Sequence, residues 1–385
     1  MPLAMSQIPG VSWLHTCGAY ICDESGQQVS LTGIDIFSGQ GEGITLSDIQ
    51  KVKALGFNTI RLNDMHWGLI EPFNETLKGI DESWFTTGKT SFYKVSFDQI
   101  VNWAVGENMY VIICLGLGGQ VYHKPPGWAF PGFPTGTTDK EWAQKYMAVI
   151  NGTATREATG IANTWKYIAN RYKDIPNVMF ELLNEPLTTK TALAGNSYKT
   201  FNENVISAIE SVETRSHLKL IPLLLNVMNY HGYYWVEITN EAVDVSNSNV
   251  VWTSHHYSGV SNWDPNGNYW HDAFTWQGKP LNAGYGNGTV YSAWRIARVA
   301  QQIHMWNKPW IVTEFSKKVT ETGWQNWYRA TINAMKENKI ASWSFFDYTS
   351  NTTHEVGWNI ADPTTQNQIM PVLRQNFGTL TVMRR

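Results

Sequence analysis

Val178-Met-Phe-Glu-Leu-Leu-Asn-Glu-Pro186 runs apolar like a buried strand and then ends abruptly in Asn184, Glu185 and Pro186. Strands of a parallel barrel are buried on both faces. They read as near-continuous apolar runs whose polar residues gather at the C-terminal end, where barrel active sites lie. Pro186 has no N–H to donate and marks where the ladder stops. On this reading the strand aims the carboxylate of Glu185. Taken alone, Asn-Glu-Pro is equally well an acidic turn, so a second stretch is needed to decide.

Outward from this strand, the chain alternates. A small hairpin is expected within residues 11–37, with arms at 19–23 and 28–31, placed to close the bottom of a barrel and running into an apolar strand at 31–37. Leu46, Ile49, Val52 and Leu55 then repeat at helical spacing, with Gly56 as the stop. Further strands are predicted over 58–63, 110–117, 178–186, 218–227, 250–257, 309–315 and 341–348. The helices between them fall at 96–108, 158–172, 198–214, 232–242 (weakly patterned), 291–306, 323–337 and 364–376. Eight strands, each followed by a helix or a helix-length segment, imply right-handed crossovers and a parallel sheet. At 385 residues they favour one closed (β/α)8 TIM barrel, an α/β fold, over an open doubly wound sheet. No repeat or linker justifies a second domain, so residues 1–385 are read as one catalytic barrel.

Three segments, 64–95, 118–157 and 258–290, are too long for plain connections, and each follows the C-terminal end of a strand. They carry Trp67, Trp128 and Trp263 among other tryptophans, together with several glycines and prolines. Loops at that end of a barrel build binding sites. The whole chain holds 19 Trp and 17 Tyr while only 16% of its residues are charged. That balance suggests flat apolar surfaces facing a partner such as a sugar ring, although core packing can absorb many of them.

A net charge of −3 offers no basic stripe for nucleic acid, and no run of 18 apolar residues offers a membrane span. The N-terminus, Met1-Pro-Leu-Ala-Met-Ser-Gln7, lacks a signal pattern. The protein is therefore read as secreted with its signal absent from this sequence, a cytoplasmic location being the alternative. Cys17, Cys22 and Cys114 make neither a disulfide framework nor a paired zinc site; Cys17 and Cys22 either bridge or stay as two thiols. No His-Glu-x-x-His or calcium loop implies a metal, no Gly-x-Ser-x-Gly elbow implies a serine hydrolase, and Gly116–Gly119 lacks the context of a dinucleotide site. No cofactor is expected, and a monomer is favoured.

The partner of Glu185 is found in Pro309-Trp-Ile-Val-Thr-Glu-Phe315, another apolar strand ending in a carboxylate, Glu314. These residues end the fourth and seventh strands, which can face each other across a barrel mouth as a carboxylate pair flanking a glycosidic bond must. Their mutual repulsion raises the pKa of one, letting two residues of one type take different roles.

Asn184-Glu185-Pro186 after strand four, His255-His256-Tyr257 after strand six and Thr313-Glu314-Phe315 after strand seven resemble the motifs of glycoside hydrolase family 5, the cellulase-type retaining β-glycanases of clan A. The resemblance covers Leu31 to about Tyr348. It implies Glu185 as general acid/base, Glu314 as nucleophile, and carboxyl groups about 5–5.5 Å apart. It further implies Asn184 on the 2-hydroxyl of the attacked sugar, Arg61 beside the nucleophile, His255 near the catalytic residues, Tyr257 bonding the nucleophile, and Trp343 as the floor under the sugar. His256 is read as a core histidine. Trp67, Trp128 and Trp263 are candidate sugar platforms. Cys114 and Gly116 stand where the family has an acid and a histidine, with His123 as a candidate substitute, and this marks a divergent member. The activity implied is endo-hydrolysis of a β-1,4-linked glucan. Mannan, mixed-linkage glucan and xyloglucan are alternative substrates, and a non-catalytic carbohydrate-binding barrel is the alternative of another class.

Overall fold

The structure, a computed structural model, describes residues 11–36, 43–63, 82–87, 94–115, 155–184, 197–222, 249–257, 306–340, 342–349 and 357–377, with short stretches between 187 and 303. Eight parallel strands close into a barrel. In chain order they are Thr32–Ile36, Thr59–Leu62, Tyr110–Cys114, Val178–Glu181, Lys219–Pro222, Val250–Tyr257, Trp310–Ser316 and Ser342–Tyr348, and the eighth pairs with the first. They are numbered one to eight below. Helices between them include Leu46–Ala54, Phe97–Gly106, Thr155–Tyr172, Ser197–Glu210, Trp324–Glu337 and Pro363–Phe377. This is a (β/α)8 barrel.

Local chemistry sets the helix boundaries. Thr45 accepts from the backbone N–H of Asp48 while the Asp48 carboxylate accepts from that of Thr45, which satisfies two of the first-turn donors. Gly56, at φ +104°, turns the chain out after that helix, in a backbone region L side chains avoid. Ser96 caps the next helix through the N–H of Gln99.

Successive side chains of a strand face opposite sides, so the barrel has two cores. Val111, Ile113, Phe180, Ile221, Trp252, Val312 and Phe345 join the layer under the helices. Ile112, Met179, Leu220, Val251 and Ile311 form an inner cluster with Leu14, Ile21 and Leu31 from the N-terminal segment. Two residues further along the same inward faces lie Cys114, Glu181, Thr253 and Thr313. The barrel interior therefore changes from apolar to polar in one step towards its C-terminal mouth.

The bottom is stoppered by an antiparallel hairpin, His15–Cys17 with Tyr20–Cys22. Its arms lie earlier than the expected 19–23 and 28–31. That second pairing survives as a bridge between Cys22 and Gln28. Gly18 takes the left-handed turn position at φ +66°, and a disulfide joins Cys17 to Cys22. The Trp13 ring lies 4.7 Å from that of His217. Thr16 N–H donates to Asn249 Oδ1 at 3.2 Å, and the Tyr110 hydroxyl donates to the Ser12 carbonyl at 3.3 Å. All three partners precede or begin barrel strands.

Two expected elements differ. The fifth strand stops at Pro222, which cannot extend the ladder. Leu225–Met228 instead joins Leu187–Thr188 and Gly232–Tyr234 in a separate three-stranded sheet. Residues 232–234 are thus strand rather than the start of a helix at 232–242. Most of the three long loops, with Trp67, Trp128, Trp263 and His123, lies outside the described residues, as does Glu185.

Candidate active site

Arg61 is fully buried inside the barrel, and groups from four other strands converge on it. A guanidinium has five N–H donors in a fixed fork and no acceptor. Here Nε donates to Glu181 Oε2 at 2.5 Å. Nη1 donates to Asp35 Oδ2 and to Glu314 Oε1 at 2.6 Å. Nη2 donates to Asn184 Oδ1 at 2.6 Å and to Cys114 Sγ at 3.2 Å. Five donors meet five acceptors, which fixes the plane of the guanidinium. Because Arg61 can only donate, the Asn184 oxygen must face it, and the Asn184 amide N–H2 is left to donate elsewhere.

Glu314 is 4% exposed. Its Oε1 also accepts from Asn63 Nδ2 at 3.3 Å, and its Oε2 lies 3.4 Å from His255 Nδ1. Strands six and seven bring those two residues into direct register, just after an irregularity between Ser254 and His255. His256 faces the other side: its Nε2 is 2.9 Å from Ser254 Oγ, and its ring lies against Trp310 at 6.1 Å. Tyr257 closes strand six opposite Ser316, with its side chain outside the described residues.

Beneath Glu314, Glu181 accepts from Thr253 Oγ1 at 3.1 Å and Thr313 Oγ1 at 3.0 Å in addition to Arg61. Burial, together with the negative charges of Glu314 and Glu181, pushes Asp35 up to about 8 against the pull of Arg61. Arg61 is held well above its ordinary value because the surrounding acidic groups outweigh its burial. Burial pushes the Cys114 thiol up despite the adjacent guanidinium, so it stays a neutral S–H. Among the described residues, no group of three or more His, Cys, Asp or Glu is arranged to hold a metal ion.

Trp343 does not join this constellation, which corrects its reading as the sugar floor. It is 1% exposed and lies opposite Thr32, at the N-terminal end of strand one. Its ring stacks on Phe377 at 4.3 Å and meets Phe315 and Phe57 edge-on at 5.6 and 6.1 Å. It faces the helices. Phe346, three residues on, is instead opposite Asp35. It is the one half-exposed residue of an otherwise buried strand, and its ring meets that of Trp358 edge-on with centroids 6.0 Å apart.

Asp35, Glu181 and Asn63 escaped the sequence reading. The first two carry a visible signal, an acid inside an apolar run (Gly33-Ile-Asp-Ile36 and Met179-Phe-Glu-Leu182). A carboxylate there needs a buried cation, and Arg61 is the matching residue within Ile60-Arg-Leu62. Asn63 carries no comparable signal.

Residues 22–352 match the family model Cellulase (glycosyl hydrolase family 5). Endoglucanase B of Clostridium cellulovorans is 29% identical over 190 residues, covering 46% of this chain and 34% of that protein. The chain thus spans about a third of that curated relative's length. Among solved structures, an endogalactoceramidase superposes with a TM-score of 0.60 at 18% identity, over 88% of this chain and 75% of that one. Endoglucanase Cel5A of Thermotoga maritima superposes at 0.56 and 17% identity, over 89% and 96%, and has also been solved with cellobiose and with mannotriose. At such identities the superpositions speak for the fold, and the family match speaks for descent. The chain belongs to glycosyl hydrolase family 5.

Proposed function

We propose that the protein is a retaining endo-β-1,4-glucanase in which Glu314 is the nucleophile and Glu185 the general acid/base. The observation that carries this reading is the Arg61 guanidinium at 2.6 Å from Glu314 Oε1. A fixed cation at that distance favours the carboxylate a nucleophile needs. Arg61 and Asn63 hold Oε1, so Oε2 is the oxygen we assign to attack.

In the first step Oε2 bonds to the anomeric carbon as the bond to the leaving oxygen breaks, and Glu185 gives that oxygen its proton. In the second, Glu185 takes a proton from water, the water oxygen bonds to the anomeric carbon, and the bond to Glu314 breaks. Asn184, anchored through its oxygen, directs its amide N–H towards the sugar 2-hydroxyl. Phe346 takes the place of Trp343 as the apolar surface under the ring, and Trp67, Trp128 and Trp263 serve as platforms further along the cleft.

The choice of glucan rests on the likeness to Endoglucanase B. The mannotriose complex of the Thermotoga enzyme makes mannan the second substrate to test. The Cys17–Cys22 disulfide supports an oxidising, extracellular location. A purely sugar-binding barrel would have no need of a carboxylate clamped to a buried arginine.

The test compares wild type with Glu314→Gln and Glu185→Gln on a soluble cellulose derivative, mannan and a β-galactosyl lipid, reading reducing ends, viscosity and product anomer. A rapid viscosity drop on the cellulose derivative, a β-anomer formed first, and loss of at least about 10³-fold in Glu314→Gln are expected. Equal activity in all three proteins, or an α-anomer formed first, overturns the reading.

A further inference from the structure

Three carboxyl groups, from Asp35, Glu181 and Glu314, share one guanidinium in a closed space. Four further groups line the cluster: Cys114 from strand three and Asn184 after strand four on the same guanidinium, and Asn63 and His255 beside Glu314. With all three carboxyls of the cluster ionised, one cation would face three anions, and a buried excess charge of that kind is strongly disfavoured. A proton on one of them relieves that excess.

The hydrogen-bond pattern distinguishes the three. Glu181 accepts three donors, distributed over both of its oxygens. Glu314 accepts from Arg61 and Asn63 and has His255 beside its second oxygen. Asp35 accepts only from Arg61, through Oδ2, and its buried Oδ1 has no hydrogen-bond partner among the described residues. A buried anionic oxygen without a donor is far costlier than a buried neutral hydroxyl.

We propose that Asp35 is a positioning residue for the glycosidic reaction, a carboxylic acid kept neutral beside the nucleophile so that Arg61 does not divide its charge between two neighbouring carboxylates. The positioning role rests on Glu314 being the nucleophile; the protonation of Asp35 does not. In the neutral form Oδ2, as the carbonyl oxygen, still accepts from Nη1, and the proton resides on Oδ1. The raised affinity of Asp35 for its proton agrees with this geometry. On loss of the proton, Nη1 is contested between two anions, and a second negative charge stands next to the carboxylate that has to attack.

The experiment reads protonation and reactivity separately. Infrared spectra of protein carrying ¹³C-carboxyl aspartate are titrated from pH 5 to about pH 10 for wild type and Asp35→Asn. Hydrolysis of an aryl cellobioside with a leaving group acidic enough to depart unprotonated is followed over the same range, which removes the titration of the general acid from the profile. Wild type is expected to show a protonated-carboxyl band that disappears at about pH 8, and a rate that falls about tenfold per pH unit above it. Asp35→Asn, which keeps an acceptor for Arg61 but cannot ionise, should lack both. The wild-type titration stands on its own if the variant does not fold.

Absence of the band in wild type at pH 6 overturns the proposal, as does a band that Asp35→Asn retains. A band lost in the variant together with an unchanged alkaline limb overturns the positioning role alone. If Glu314→Gln cleaves the aryl cellobioside as fast as wild type, the nucleophile reading fails and the positioning role with it, and the infrared band still decides the protonation of Asp35.

Discussion

Replacing Trp343 by alanine separates packing from substrate binding at the position where the two are most easily confused. The indole is 1% exposed, stacked on Phe377 at 4.3 Å and edge-on to two further rings. Truncating a buried Trp costs about 3–5 kcal/mol, and the lost aromatic pairs put this site at the upper end, about 5 kcal/mol. At about 2.1 cal/mol/K per residue, a chain of 385 residues unfolds with an entropy of about 0.8 kcal/mol/K, so Tm falls by about 6 °C. The assay is thermal and denaturant unfolding alongside kcat and KM at a temperature where both proteins are folded. Trp343→Ala should lose stability and keep KM within about twofold. Phe346→Ala should do the reverse, losing little stability and raising KM about tenfold, the equivalent of about 1.4 kcal/mol of sugar contact. A Trp343→Ala protein with Tm within about 1 °C of wild type and a tenfold higher KM would refute the assignment of the two faces of strand eight.

Reducing the Cys17–Cys22 disulfide, or replacing both cysteines by serine, should cost about 2 kcal/mol, because the loop it closes is short; matched denaturant melts with and without reductant measure it. At the barrel bottom, burial works to raise Glu213, but His217 at 2.6 Å and the Lys219 ammonium at 2.8 Å outweigh it and hold the carboxyl below its usual range. A depressed carboxyl contributes stability above its unfolded value of 4.5 and loses it as pH falls through the folded one. Glu213→Gln should therefore be about 2 kcal/mol less stable than wild type at pH 7, with the gap closing on acidification below about pH 4; a gap that does not change with pH would refute the electrostatic cause.

Much of the barrel is legible in the chain because its strands announce themselves as apolar runs and its helices as 3.6-residue periodicities. Strand six occupies 250–257 as read, and strand eight begins one residue later than expected. What such runs conceal is parity. A strand buried on both faces gives no hydrophobic alternation to show which residues look inward, and that is why Trp343 was assigned to the wrong side while Phe346 went unnoticed. The same blindness hid Asp35 and Glu181, since an acid within an apolar strand is recognisable as part of a cluster only when its cation is known to face it. Residues 232–234 were misassigned for a different reason. Their pairing with 225–228 is a local hairpin contact that the weak helical pattern over 232–242 conceals.

The hairpin below the barrel bears on how this protein can be cut. The family match begins at residue 22, so Trp13, Thr16 and Cys17 all precede it, and a chain trimmed to that boundary would lose its stopper. Tyr110, Ile112, Leu218 and Leu220, now covered from below by Leu14 and Ile21, would meet water at the end opposite the chemistry. Such a fragment would keep every group around Arg61 and still be an open-ended tube, prone to stick to its neighbours by an apolar rim. A limit drawn by kinship and a limit drawn by physics need not coincide, and here they differ by one short hairpin.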